Sequence, residues 1–158
     1  MLDNVRSLHN VGATFRAADG FGVRKIFLTG ITPRPPRPEI SKVALGAEES
    51  VEFEWMEDTG RALLVLQRMG VHIVALEQTH NSVSFYDYTF PEPLAIVLGH
   101  EQLGVDDSSL APCDGAVEIP MLGAKHSHNV ATSAGIVLSE VRRQWSECGA
   151  ERVQRRAE

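Results

Sequence analysis

The 158-residue chain has 43% hydrophobic residues and a net charge of −6, which suits one globular domain with a sizeable core and excludes a general polycation. No apolar run approaches the roughly 20 residues of a membrane helix and no basic-then-apolar leader opens the sequence, so a helical span is excluded and a cytoplasmic protein expected. Two cysteines, Cys113 and Cys148, stand in no CxxC pattern, which argues against a thiolate metal site.

In chain order, Asp3 to Leu8 is a short lead-in. Asn10 to Gly20 has helical spacing, with Val11, Phe15 and Ala18 on one face, Asn10 as candidate N-cap and Gly20 as the stop. Arg16 lies one turn after Gly12, so its guanidinium is expected to pass over the bare glycine toward the helix start, where unpaired N–H groups suit a phosphate. Taken alone, an ordinary surface arginine is the commoner explanation. Lys25 to Thr29 reads as a buried strand, and the prolines and arginines after it form an extended surface loop. Ser41 to Ala47 reads as a short helix, while Val51, Phe53 and Trp55 alternate with Glu52 and Glu54 as in a half-exposed strand. Asp58 or Thr59 caps a helix whose apolar positions are Ala62, Leu63, Leu66 and Met69; Gly70 ends it, and the strand Val71 to Leu76 follows.

After a polar loop from Glu77 to Pro93, Leu94 to Leu98 is apolar on both faces, as in the middle of a parallel sheet, and stops at Gly99-His100-Glu101-Gln102-Leu103-Gly104. Asp106 to Leu110 is a short helical link. Val117 to Met121 reads as a short buried strand in which Pro120 sits where no ladder donor is needed, Gly123 opens a tight loop, and Ser127 or Asn129 caps a last helix with Val130, Ala134, Val137 and Val141 on one face. Strands alternate with helices throughout, which gives an α/β fold with a mainly parallel sheet and helices on both faces, in a single domain over residues 1–158 whose tail from about residue 146 is a candidate for disorder. Ligands in such sheets sit beyond the carboxyl ends of the strands, here at the loops after Leu76, Leu98 and Met121. Gly99-x-Glu101-x-x-Gly104 is neither a dinucleotide fingerprint nor a P-loop, and no G-x-S-x-G elbow supports a hydrolase. Two basic patches stand out: Arg34, Arg37 and Lys42 around the proline-rich loop, and Arg142, Arg143, Arg152, Arg155 and Arg156 near the end. Either alone is first of all a solvated surface.

Three segments together resemble the signature motifs of the SpoU (TrmH-like) RNA methyltransferases of the SPOUT superfamily. They are Asn10-x-Gly12-x-x-x-Arg16-x-Ala18, then Ile96-Val97-Leu98-Gly99-His100-Glu101-x-x-Gly104, then Ile119-Pro120-Met121-x-Gly123-x-x-x-Ser127-His128-Asn129-Val130. The resemblance implies a C-terminal trefoil knot, an obligate homodimer, S-adenosylmethionine as methyl donor and a ribose 2′-hydroxyl of tRNA or rRNA as acceptor. By match to those motifs, Leu76, Gly99, Ile119, Met121, Ser127 and His128 line the cofactor pocket, with Gly99 allowing close backbone approach. Arg16 matches the arginine the family uses to activate the 2′-hydroxyl together with a substrate phosphate. Because a guanidinium is essentially always protonated, orienting the nucleophile and stabilising its developing charge is the expected role. Asn10, Glu101 and Asn129 match positions that hold Arg16, the knot loop and the substrate in register.

The family usually has leucine where this chain has His128; a ring facing the pocket would change cofactor affinity or make it pH dependent. His100, His126 and His128 have no acidic or thiol partner at convincing spacing, so no metal is expected. Since the sequence begins without the separate RNA-binding extension of many relatives, RNA capture is expected on the dimer surface, through Arg34, Arg37, Lys42 and the C-terminal arginines beside Arg16. The competing reading is a non-catalytic RNA-binding relative that keeps the knotted fold.

Overall fold

A computed structural model describes the backbone of residues 1–157 and the side chains of residues 1–147. The side chains of Cys148, Arg152, Arg155 and Arg156, and those of most of the tail expected from about residue 146 to be disordered, lie outside the described residues. The elements are β1 (Leu2–Asp3), α1 (Leu8–Gly20), β2 (Lys25–Thr29), α2 (Pro38–Ala44), α3 (Ala47–Ser50), β3 (Glu52–Met56), α4 (Thr59–Arg68), β4 (His72–Leu76), β5 (Val83–Ser84), β6 (Leu94–Val97), α5 (Asp107–Leu110), β7 (Gly115–Glu118) and α6 (Val130–Ala157).

All strand pairs are parallel, in a group β1-β2-β3 and a group β5-β7-β4-β6. A parallel bridge between Leu2 and Leu98, with Asp3 N–H donating to the Leu98 carbonyl at 2.8 Å, joins the groups edge to edge as β5-β7-β4-β6-β1-β2-β3. The lead-in expected at Asp3 is thus a strand. Two residues are too few to show an alternation, and the buried Asp3 carboxylate is satisfied by the Thr59 hydroxyl, the Asn4 amide and the Thr29 hydroxyl, which donate to it at 2.6, 2.8 and 3.3 Å.

Side chains alternate across the sheet, so each central strand feeds two cores. On one face Ile26, Leu28, Val74, Ile96 and Val117 pack with Val11 and Phe15 of α1, Ile40 of α2 and Val137 and Val141 of α6. On the other, Phe27, Ile73 and Val97 pack with Ala62, Leu63 and Leu66 of α4. Met69, expected on that apolar stripe, is 66% exposed, because α4 ends at Arg68 and the chain turns out before the next inward position. The loop read as polar between β4 and β6 carries Phe85 and Phe90, both buried, and Gln144 and Trp145 of α6 hold it through the Tyr88 and Phe90 carbonyls at 2.9 and 3.0 Å.

Ser41 to Ala47 is not one helix. Pro38 starts α2 early, and Leu45 and Gly46 both adopt positive φ, +54° and +92°, breaking the run before α3. The strand expected at Val117–Met121 ends at Glu118 and starts earlier, because Gly115 and Ala116 pair with Val74 and Ala75 while Pro120 has no N–H for the ladder.

Candidate active site

The carboxyl ends of β4, β6 and β7 open onto a cavity of about 510 Å³, the place parallel sheets offer for ligands. Leu76, Gly99, Ile119, Met121, Ser127 and His128 all line it, although they come from three separate stretches of chain. Leu76, Leu98, Ile119 and Met121 supply apolar wall, and Glu77, Glu101 and Glu118 add carboxylates. His128 is exposed at the rim.

Gly99 lines the cavity and is close-packed within its own loop as well. A Cβ there would collide with the carbonyl of Gly104 and the N–H of Val105, so the glycine is what lets that loop close. The closed loop is held by reciprocal backbone bonds between His100 and Gly104, at 3.0 and 2.8 Å. Glu77 secures it from β4: its Oε2 accepts from Val105 N–H at 2.9 Å, and Gly104, at φ +71°, has no side chain because Glu77 fills that space. In the sequence Glu77 stands only as the start of a polar loop. The available signal was a carboxylate directly after a buried strand, on the ligand side of the sheet. His100 Nδ1 accepts from the N–H groups of Gln102 and Leu103 at 3.0 and 3.3 Å, so that nitrogen is already occupied within the loop. Among the described residues no group of three or more His, Cys, Asp or Glu side chains is arranged to hold a metal ion.

Asn10, Glu101 and Asn129 form one directional chain of hydrogen bonds. The cap of α1 is Ser7, whose hydroxyl oxygen accepts from Asn10 N–H at 3.3 Å, so Asn10 is not the N-cap; it lies buried in the first turn with its amide free for other use. Glu101 accepts from the N–H groups of Arg6 and Ser7 at 3.0 and 2.9 Å and from Asn10 Nδ2 at 2.9 Å. An ionised carboxylate can only accept, so Asn10 must turn its nitrogen to Glu101 and its oxygen away. That oxygen accepts from Asn129 Nδ2 at 2.9 Å, which in turn leaves Asn129 Oδ1 to cap α6 through Ala131 and Thr132 N–H, at 3.0 and 3.3 Å. One charge therefore sets two amide orientations and ties the start of α1, the loop after β6 and the start of α6 together. Burial pushes the Glu101 carboxyl up, but the Arg6 and Ser7 N–H groups and the Asn10 amide outweigh it and hold the carboxyl down at about 2. Because the folded value is depressed, this clamp stabilises fully above the ordinary carboxylate range and is lost as pH falls toward about 2.

Asn129→Asp separates capping from this relay. Aspartate keeps the cap oxygen but faces Asn10 Oδ1 with a second acceptor, and Asn10 cannot turn while Glu101 holds its nitrogen. We expect a loss of about 1–2 kcal/mol in thermal unfolding despite aspartate's quality as an N-cap. An unchanged midpoint would show that the two asparagines are not coupled.

Arg16 is placed differently from expectation. The bare face of Gly12 is covered by α2, where a Cβ would sit 2.6 Å from the Ile40 carbonyl oxygen and 3.0 Å from Val43 Cβ, so no guanidinium can pass over it. Arg16 is exposed on the outside of α1 and does not line the cavity. Arg34 and Arg37 line a second cleft at the ends of β2 and β3, and Lys42, exposed in the last turn of α2, does not join them. Burial, with Asp114 and Asp3 adding to it, pushes the Cys113 thiol up to about 11, which leaves it a neutral packing residue.

An all-parallel α/β sheet whose ligand cavity is walled by a closed glycine loop and by the segment entering the last helix defines a cofactor-binding domain without a P-loop or dinucleotide fingerprint. The chain belongs to the SpoU rRNA Methylase family, whose pattern matches residues 1–139. It is 36% identical over 144 residues to the 23S rRNA (guanosine-2′-O-)-methyltransferase RlmB of Neisseria meningitidis, covering 91% of this chain and 57% of that protein. Among solved structures it is similar to the A. aeolicus TrmH/SpoU tRNA modifying enzyme, with a TM-score of 0.85 and 30% identity over 94% of this chain and 75% of that one. It is also similar to the SpoU methyltransferase AviRb from Streptomyces viridochromogenes in complex with AdoMet, with a TM-score of 0.84 and 25% identity over 92% and 59% of the two chains. The chain spans little more than half the length of the curated relatives it matches first.

Proposed function

We propose that this chain is the catalytic domain of an S-adenosylmethionine-dependent methyltransferase that modifies a ribose 2′-hydroxyl in tRNA or rRNA, in the cytoplasm. One observation carries the reading: the cofactor positions of the second and third family motifs, together with Leu76, converge on one cavity at the carboxyl edge of the sheet. The donor set fits the group. Apolar wall from Leu76, Leu98, Ile119 and Met121 suits an adenine, and the carboxylates of Glu77, Glu101 and Glu118 suit a ligand carrying a sulfonium and an ammonium. When bound, S-adenosylmethionine supplies a methyl group electrophilic enough to pass to an oxygen.

The chain's own residues do the rest by position. The Glu101–Asn10–Asn129 relay fixes the floor between the loop after β6 and α6, so that a nucleophile delivered there meets a rigid wall; alignment of this kind supplies much of the rate of an in-line transfer. Arg16 lines neither of the two cavities described above, and it acts on one presented by a second copy, in a homodimer. There its permanent positive charge orients the ribose hydroxyl and a neighbouring phosphate. The segment from Ile119 to Asn129 forms a trefoil knot in this reading. In support, β7 lies inside the sheet between β5 and β4, while the chain after it returns to Gln78, whose amide donates to the His126 carbonyl at 2.8 Å, and to Asn10.

Calorimetry with S-adenosylmethionine tests the reading and separates it from an RNA-binding relative without catalysis. Saturable binding at one site per chain is expected, and the absence of binding would reject the enzyme.

A further inference from the structure

The cleft at the carboxyl ends of β2 and β3 has a volume of about 430 Å³ and is lined by Arg6, Arg34, Arg37 and Trp55 over a floor that includes Leu8 and Pro33. No acidic side chain is in its lining. The Arg34 guanidinium carbon lies over the Trp55 ring, 4.3 Å from its centroid, and the arginine is exposed. Among the described residues, none of the three guanidinium groups is paired with a carboxylate, in a chain whose net charge is −6. A tryptophan covered by an arginine is a common surface arrangement worth about 0.5–1 kcal/mol, and it calls for neither Arg6 nor Arg37. Three convergent, unpaired cations around an aromatic platform instead match a nucleotide: a flat base and an adjoining phosphate.

The cleft is also tied to the first cavity. Arg6 lines the cleft, and its N–H, with that of Ser7, donates to Glu101, which lines the cavity. The two sites share one rigid joint but have opposite charge, acidic at the cavity and basic at the cleft.

We propose that this cleft is a subsite for a single unstacked nucleotide of the RNA substrate, with the base stacked on the outer face of Arg34 above Trp55 and the phosphate held by Arg37 and Arg6. This rests on the reading of the chain as an RNA methyltransferase. The acidic cavity takes the cationic methyl donor, and the basic cleft takes the polyanion. Stacking of this kind tolerates any base, so the subsite selects for an unpaired residue rather than for a sequence.

Trp55 is its own reporter. In a Trp145→Phe background it is the sole tryptophan, and titration with a short single-stranded oligoribonucleotide should quench its fluorescence saturably, while a double-stranded RNA of the same composition and free guanosine monophosphate should do so far less. Arg34→Lys keeps the charge and removes the stacking plane; it should weaken oligonucleotide binding by roughly 5- to 150-fold, the range for losing one stacked base. Arg37→Gln should weaken binding and reduce the salt slope by about one. Neither position packs in the core, so calorimetry with S-adenosylmethionine should read the same in both variants. If the oligonucleotide binds without quenching Trp55, or Arg34→Lys binds as the parent does, the subsite is refuted. Loss of oligonucleotide binding alone, with S-adenosylmethionine binding and methyl transfer to folded RNA intact, also refutes it and leaves the enzyme standing. Loss of S-adenosylmethionine binding in the parent protein would refute the enzyme itself.

Discussion

Arg16→Ala is expected to lower methyl transfer to RNA by roughly 10²–10³-fold, the usual cost of removing one preorganised charge from a transition state. The same variant should bind S-adenosylmethionine with unchanged affinity, because Arg16 does not line the cavity. It should also fold normally: the side chain is exposed, and replacing such a residue changes stability by no more than about 0.5 kcal/mol. The split between intact binding and lost turnover is the informative result, since a merely structural arginine would move both or neither. Arg16→Lys should recover part of the rate, as a point charge without the planar fork that grips phosphate and hydroxyl together. Full turnover in the alanine variant would remove Arg16 from the reaction.

Gly99→Ala should have the opposite signature, with cofactor affinity falling by more than tenfold and stability by about 1–3 kcal/mol, the usual cost of overpacking a close-packed site. The added methyl meets the Gly104 carbonyl and the Val105 N–H, which are backbone and cannot rotate aside. The loop cannot yield as a unit either, because Glu77 holds Val105 N–H at 2.9 Å and His100 and Gly104 are paired across it. Part of the cavity wall must therefore move. Calorimetry with S-adenosylmethionine, beside thermal unfolding, reads both effects, and an alanine variant that binds as tightly as the parent would show that the loop closes without the glycine.

These two residues also show where the sequence was readable. Gly12, Arg16, Gly99 and Glu101 were all singled out from short local patterns, but what each touches lies far along the chain. Helical periodicity places Arg16 over the bare Gly12, and nothing local announces that α2 fills that space. The sequence expects close backbone approach at Gly99, and nothing local announces that the residues five and six positions on also close in on it. Ser7 and Asn10 are both good cap types three residues apart; Glu101, 91 residues beyond Asn10, takes the Asn10 amide, and Ser7 is the cap. Strands buried on both faces, Lys25–Thr29 and Leu94–Val97, were legible because burial on two sides writes a continuous apolar run. Strands β1 and β5 were not, since two residues carry no period, and Phe85 and Phe90 were lost in a stretch whose average is polar. The cavity lining was the most legible part, because the loops that follow its strands leave their record as glycine and cap spacing.

The direct measurement is incubation of the purified protein with methyl-labelled S-adenosylmethionine and total tRNA and rRNA, followed by digestion to nucleosides and mapping of the label. The account predicts label on a ribose 2′-oxygen at a defined nucleotide. Label on a base, or S-adenosylmethionine bound but no RNA labelled in either pool, would contradict it.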